Sequence, residues 1–270
     1  MSAPLATVLV RVKDEAESIG RLLEIVAGQT VADRIETVVV DSGSRDGTVD
    51  IVRAAAGVKL IEMPASEFTF GRSLNIGSAA ASGSIVIALS AHAFPGDERW
   101  LERMIAAFDD ERVACACGAK QDPFGNPLDG PLVQDLELAR REPLYGYSNG
   151  AGGYRTALWR QRQFREEMPG TEDKEWAWHW LGEGWHAVFD PALMVEHDHS
   201  HDSLPSVYER WRREWVGFGM YLDLPPYPLT ALAREWWVEL GVHGSHARAR
   251  LSPRRAARLL GKYVGQRASR

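Results

Sequence analysis

A chain of 270 residues, 45% hydrophobic and 25% charged, has the composition of an ordinary globular protein and is long enough to bury a full core. Its net charge of −6 offers no basic face for a phosphate backbone and argues against nucleic acid as a partner, while two cysteines, Cys115 and Cys117, are too few for a disulfide framework or a four-ligand zinc site. The opening residues lack the basic-then-apolar order of a secretory leader and no apolar run of about 18 residues occurs, so the expectation is a cytoplasmic chain.

The first hundred residues alternate strand and helix signals. A β-branched run over 6–12 predicts a strand, and Ile19, Leu22, Leu23 and Val26 recur at helical spacing within 18–27. A second strand over 35–40 ends at Asp41, and after the polar turn 42–47 a helix is expected over 48–56. Residues 58–62 read as a third strand, 73–81 as a helix closed by Ser82 and Gly83, and 84–89 as a fully apolar strand. Strands without polar alternation, joined by helical crossovers, predict a parallel doubly wound α/β sheet.

Beyond residue 100 the pattern predicts a helix over 98–108, a strand over 112–119, a turn-rich stretch over 121–130, a flexible glycine run at 149–153, a helix through 181 and a strand over 187–190. Residues 247–270 carry eight basic side chains and no acidic one, with Ala256, Leu259, Leu260 and Tyr263 at helical spacing. This tail fits an amphipathic segment lying on an anionic membrane or a partner, and equally a solvated terminus.

In such sheets ligands bind beyond the carboxyl ends of the strands, which directs attention to residues 11–15, 41–46 and 90–95. None of these carries a Gly-x-Gly-x-x-Gly or P-loop signature. Asp41 could accept from a nucleobase N–H, or serve only its own turn.

The order of motifs is more informative than any one of them. Val10 to Glu15, then Val38 to Thr48, Phe70 to Gly77, an apolar strand ending near Pro95, Glu172-Asp173-Lys174-Glu175 and Val195 to His199 together resemble glycosyltransferase family 2, over about residues 5–217. The stretch 70–77 looks most like the rhamnosyltransferase-type members. The resemblance implies a GT-A fold over 1–202, with a nucleotide-binding part to about 119 and an acceptor part to 202, followed by a helical extension over 203–270.

It further implies an inverting transfer from a nucleoside diphosphate-sugar (dTDP, UDP or GDP) to a glycan or lipid-linked hydroxyl, in polysaccharide or glycolipid synthesis. Arg11, Val12, Glu15 and Asp41 would read base and ribose, Arg72 and Asn75 would lie in the same pocket, and Asp173 would be the general base. Where the family carries Asp-x-Asp, this chain has Ser90-Ala91-His92, so Ser90 and Ala91 would face the donor and His92, His197 and His199 would hold a divalent metal, manganese or magnesium. A protonated His92 acting without metal, or a binding protein that has lost catalysis, are the alternatives this departure leaves open. Trp176, Trp178, Trp180 and Trp185 flank the expected base; most are expected in the core, with one or two toward an acceptor. The basic tail would suit the inner face of a membrane.

Overall fold

Alternate residues of the first strand, β1 (Ala6–Val12), enter different cores: Val8 and Val10 pack with Ile19 and Leu22, whereas Leu9 packs with Val38 and Leu74. A strand buried on both faces has no polar side to show, which is why β1 reads as a continuous apolar run. The computed structural model describes residues 4–197, 202–225, 227–233, 235 and 253–268.

The first half follows the expected alternation: α1 (Ile19–Ala27), β2 (Ile35–Asp41), α2 (Thr48–Ala54), β3 (Val58–Glu62), α3 (Phe70–Ala79) and β4 (Ile85–Ser90). β1 lies parallel to both β2 and β4, and β2 lies parallel to β3. The register sets Arg11 beside Ser90 and Val12 beside Asp41, so three loops open at one end of the sheet. Helix α3 begins one turn before the apolar periodicity does, because the Thr69 hydroxyl caps it by accepting from the Arg72 N–H at 3.0 Å.

The second half adds antiparallel strands to this parallel part. Strands β6 (Val113–Gly118), β7 (Leu132–Gln134), β8 (Ala151–Arg155) and β9 (His186–Asp190) complete an eight-stranded sheet of order β3-β2-β1-β4-β8-β6-β9-β7. β8 runs antiparallel between β4 and β6, and β7 antiparallel to β9. The glycine run expected to be flexible is therefore largely a central strand. A Cβ at Gly152 would stand 2.4 Å from the Ser148 carbonyl oxygen, and one at Gly153 would stand 3.1 Å from the Phe108 ring, so the missing side chains are the space their neighbours occupy. Trp176 and Trp180 are buried in the core, as their spacing suggested.

A separate two-stranded ribbon pairs β5 (Phe94–Pro95) with β10 (Val195–Glu196) and ties the chain just before His197 to the loop after β4. The remaining helices are α4 (Trp100–Ala106), α5 (Leu136–Arg141), α6 (Thr156–Gln161), α7 (Glu172–Gly182), α8 (Leu204–Gly219) and α9 (Pro253–Ala268). Two compact units result, one of residues 1–167 with 173–198 and the other of 168–172 with 199–270.

Within the second unit, α9 lies directly on α8. A Cβ at Gly261 would meet the Tyr208 carbonyl oxygen at 2.5 Å, and one at Gly265 the Arg212 carbonyl oxygen at 2.4 Å. For residues 253–268 the solvated-terminus reading is thereby corrected: they pack. Lys262 pairs with Glu235 at 2.7 Å and stands 4.5 Å from the ring centres of Trp215 and Tyr227, while Arg258 covers Trp211. Residues 247–252 and 269–270 of the tail lie outside the described residues. Among the described residues no helix is long and apolar enough to cross a membrane.

Candidate functional site

The loop after β1 is fastened to the loop after β2 by side chains that accept its backbone N–H groups. Asp14 donates to the Ser44 hydroxyl at 2.9 Å, Glu15 to the Thr48 hydroxyl at 2.8 Å and Ala16 to the Asp46 carboxylate at 2.9 Å. In return the Asp14 carboxylate accepts from the Arg45 N–H at 2.8 Å, across a backbone bend that gives Asp14 a φ of 53°. Hydrogen bonds from the Thr48 hydroxyl and the Ala16 N–H hold the Asp46 carboxyl down at about 2.

Asp41 serves this turn. It is buried, and its carboxylate accepts from the Gly43 N–H at 2.8 Å and the Ser44 N–H at 3.1 Å. The turn role left open by the sequence is the one seen, and Asp41 does not line the nearby cavity.

That cavity, of about 170 Å³, opens at the carboxyl ends of β1 and β4 and brings together Arg11, Val12, Glu15, Ser90, Ala91 and His92, six of the expected residues. Two other expected residues are committed elsewhere. Arg72 pairs with Glu67 at 2.6 Å and Glu166 at 3.3 Å. The buried Asn75 spends its whole amide on the fold, donating to the Phe164 carbonyl and Glu166 and accepting from the Trp159 ring N–H and the Phe164 N–H. These side chains brace α3 and do not line this cavity.

Four lining residues were given no role from the sequence: Lys13 and Ser42, within the loops it singled out, Phe70, at the start of a quoted motif, and Phe68. Apolar periodicity predicts the helix only from residue 73, and two phenylalanines flanking one threonine are the signal for the aromatic pair ahead of it. Their rings meet edge to face with centroids 5.3 Å apart, and the Arg11 guanidinium stands 5.7 Å from the Phe70 ring centre and 3.4 Å from its carbonyl oxygen.

At the other end Glu15 orients His92. One carboxylate oxygen lies 3.0 Å from His92 Nδ1 and the other accepts from the Ser18 hydroxyl at 2.7 Å. Burial pushes the Glu15 carboxyl up, but those hydrogen bonds and the attraction of the imidazole outweigh it and hold it below the usual carboxylate range. An ionised carboxylate only accepts, so Nδ1 carries a proton.

His92 in turn meets His197, ring centroids 4.9 Å apart. A Cβ at Gly150 would lie 3.6 Å from His197 Cε1, and the Gly150 carbonyl accepts from the Ser90 N–H at 2.9 Å. The Asn149 N–H donates to the Asp173 carboxylate at 2.8 Å, and the other Asp173 oxygen accepts from the Lys174 N–H at 2.8 Å. The aromatic pair, Arg11, Lys13 and His92 thus line one cavity, His92 meets His197, and Asp173 is held by the residue before Gly150.

His199 and His201 lie outside the described residues. Among those described, no group of three or more His, Cys, Asp and Glu side chains is arranged to hold a metal; His92 and His197 are a nitrogen pair, without the hard oxygens that magnesium prefers. The thiols are unsuited to ligation or attack, since burial pushes Cys117 up to about 11 and Cys115 well above the ordinary thiol range. A larger cavity of about 610 Å³ lies among α1, α2 and the first residues of β2 and β3; its lining is largely apolar, with Glu24 the one charged side chain.

The family model for glycosyl transferase family 2 matches residues 7–172. The chain is 29% identical over 128 residues to glycosyltransferase AglE of Haloferax volcanii, covering 46% of this chain and 41% of that protein. It is 23% identical over 198 residues to the O-antigen chain rhamnosyltransferase RfbN of Salmonella typhimurium, covering 67% of this chain and 62% of that one. The chain therefore spans about two fifths and three fifths of these relatives. In structure it is similar to mannosyltransferase PcManGT from Pyrobaculum calidifontis, solved with GDP-Man and Mn2+, with a TM-score of 0.69 at 20% identity over 99% of this chain and 87% of that one. That likeness shows the fold, a GT-A arrangement followed by a helical part.

Proposed function

The chain belongs to glycosyl transferase family 2, and from that premise we propose that it moves a sugar from a nucleoside diphosphate-sugar to a hydroxyl acceptor with inversion at the anomeric carbon. The observation that carries this reading is the cavity that gathers Arg11, Lys13 and His92, with His197 against His92 and Asp173 fastened to the Asn149 N–H beside Gly150. A donor laid along it has its diphosphate beside Arg11 and Lys13, and its sugar between the histidines and the carboxylate.

Asp173 takes the proton of the acceptor hydroxyl as that oxygen forms its bond to the anomeric carbon. The bond to the diphosphate oxygen breaks with its electron pair, and the nucleoside diphosphate departs on the opposite face. Both Asp173 oxygens are oriented by backbone N–H groups and each keeps a second lone pair for the substrate. Arg11 and Lys13 stabilise the leaving charge. His92 and His197 are the residues that would hold a divalent cation, manganese suiting two nitrogens better than magnesium, and such an ion would supply charge neutralisation to the departing diphosphate.

Support for a glycan acceptor comes from the curated relatives, one of which is named for O-antigen chain synthesis. We place the work in polysaccharide or glycolipid assembly at the cytoplasmic face of a membrane, with dTDP, UDP or GDP as the donor nucleotide. The replacement of Asp-x-Asp by Ser90-Ala91-His92 favours one second reading, a protein that binds nucleotide-sugar without turning it over.

The separating experiment is Asp173→Asn assayed for transfer and for nucleotide binding. Transfer should fall about 100- to 10,000-fold with binding retained. Full transfer by the variant removes Asp173 as base, and wild-type binding with no transfer to any glycan or lipid-linked acceptor favours the second reading.

A further inference from the structure

We propose that the exposed face of Phe68, backed by Phe70, is the platform on which the donor's nucleobase stacks, an assignment that rests on the donor reading above. Phe68 is 36% exposed, large and apolar, and lines the same cavity as Arg11 and Lys13. An aromatic ring left open beside two permanent cations matches a ligand with a flat ring at one end and a diphosphate at the other.

The platform is held ready. The Phe68 N–H donates to the Ala65 carbonyl at 3.4 Å, Thr69 caps the following helix, and Arg72 ties Glu67 to Glu166 across the segment. The Phe70 ring packs against Phe68 with the two planes 72° apart, which fixes the orientation of the platform. Stacking tolerates any base because every base has a π-face. Removal of the ring should accordingly weaken UDP, dTDP and GDP alike.

The test is calorimetric titration of the full chain with UDP, dTDP and GDP, with inorganic pyrophosphate as the ligand that lacks a base. Phe68→Leu, which keeps the apolar bulk and removes the ring, should weaken the nucleotides about 5- to 150-fold and leave pyrophosphate unchanged. Phe68→Tyr should bind as the wild type does, and all three should melt alike. Unchanged nucleotide affinity in Phe68→Leu, or an equal loss for pyrophosphate, overturns the platform while the donor reading stands. If the wild type binds none of the three nucleotides, the donor reading falls and the platform falls with it.

Discussion

Asp46 illustrates how a surface carboxylate can hold a site together without touching a ligand. Because its folded value, about 2, lies below the ordinary 3.8, its contribution is fully present above about pH 4 and is lost as the pH falls toward 2. Unfolding midpoints measured from pH 5 to 2 should show Asp46→Asn less stable than wild type at the upper end, with the gap closing toward the lower end. A gap that stays constant would mean that the charge of Asp46 is not what matters. At this scale the sequence was legible where a residue's role is local to its strand end, as for Arg11, Ser90 and His92, which line the cavity. It was not legible for Asn75 and Arg72, whose partners Phe164 and Glu166 lie far along the chain and leave no local mark.

Among the elements, β8 is the instructive one, since glycine weakens a strand in isolation and is favoured only where something crowds it. Adding a methyl at Gly152, against the carbonyl oxygens of Ser148 and Ala116, should cost about 1–3 kcal/mol and lower the melting midpoint. Gly182→Ala is the control, because a Cβ there meets nothing within 4 Å and the change should be neutral or slightly stabilising. Equal effects of the two would remove the close-packing account. β1, β2 and β4 were readable because burial on both faces writes itself as an apolar run, whereas the strand signal of β8 lies in its neighbours.

For the whole molecule, pairing between distant segments decides what local patterns cannot. The order β3-β2-β1-β4 follows from short parallel crossovers, but nothing in the residues announces that β8 enters between β4 and β6. The basic tail offered the opposite lesson: its charge suggested a surface role, while Gly261 and Gly265 marked a helix made to lie close on another. A Cβ at Gly265 would lie 2.9 Å from that of Trp215, so α9 covers a buried aromatic of α8. Deleting residues 253–270 should therefore expose that face, raising the binding of an apolar dye and promoting association in light scattering; a monomeric product that binds no dye would show that α8 needs no cover.

The central place of β8 also bears on how the chain comes to be folded as it is made. β6 emerges before β8, yet the two strands it pairs with are β8 and β9, and its bridge to the earlier sheet is β8. Until residues 151–155 have been synthesised, the nascent β6 has no neighbour to hydrogen-bond and the growing sheet ends at β4. Closure of that gap joins segments distant in sequence, the kind of step that loop entropy makes slow. The Ser90 to Gly150 hydrogen bond links the β4 loop to the entrance of β8, so the cavity beside Ser90 and the turn that carries Asn149 and Gly150 come together only when the sheet is joined.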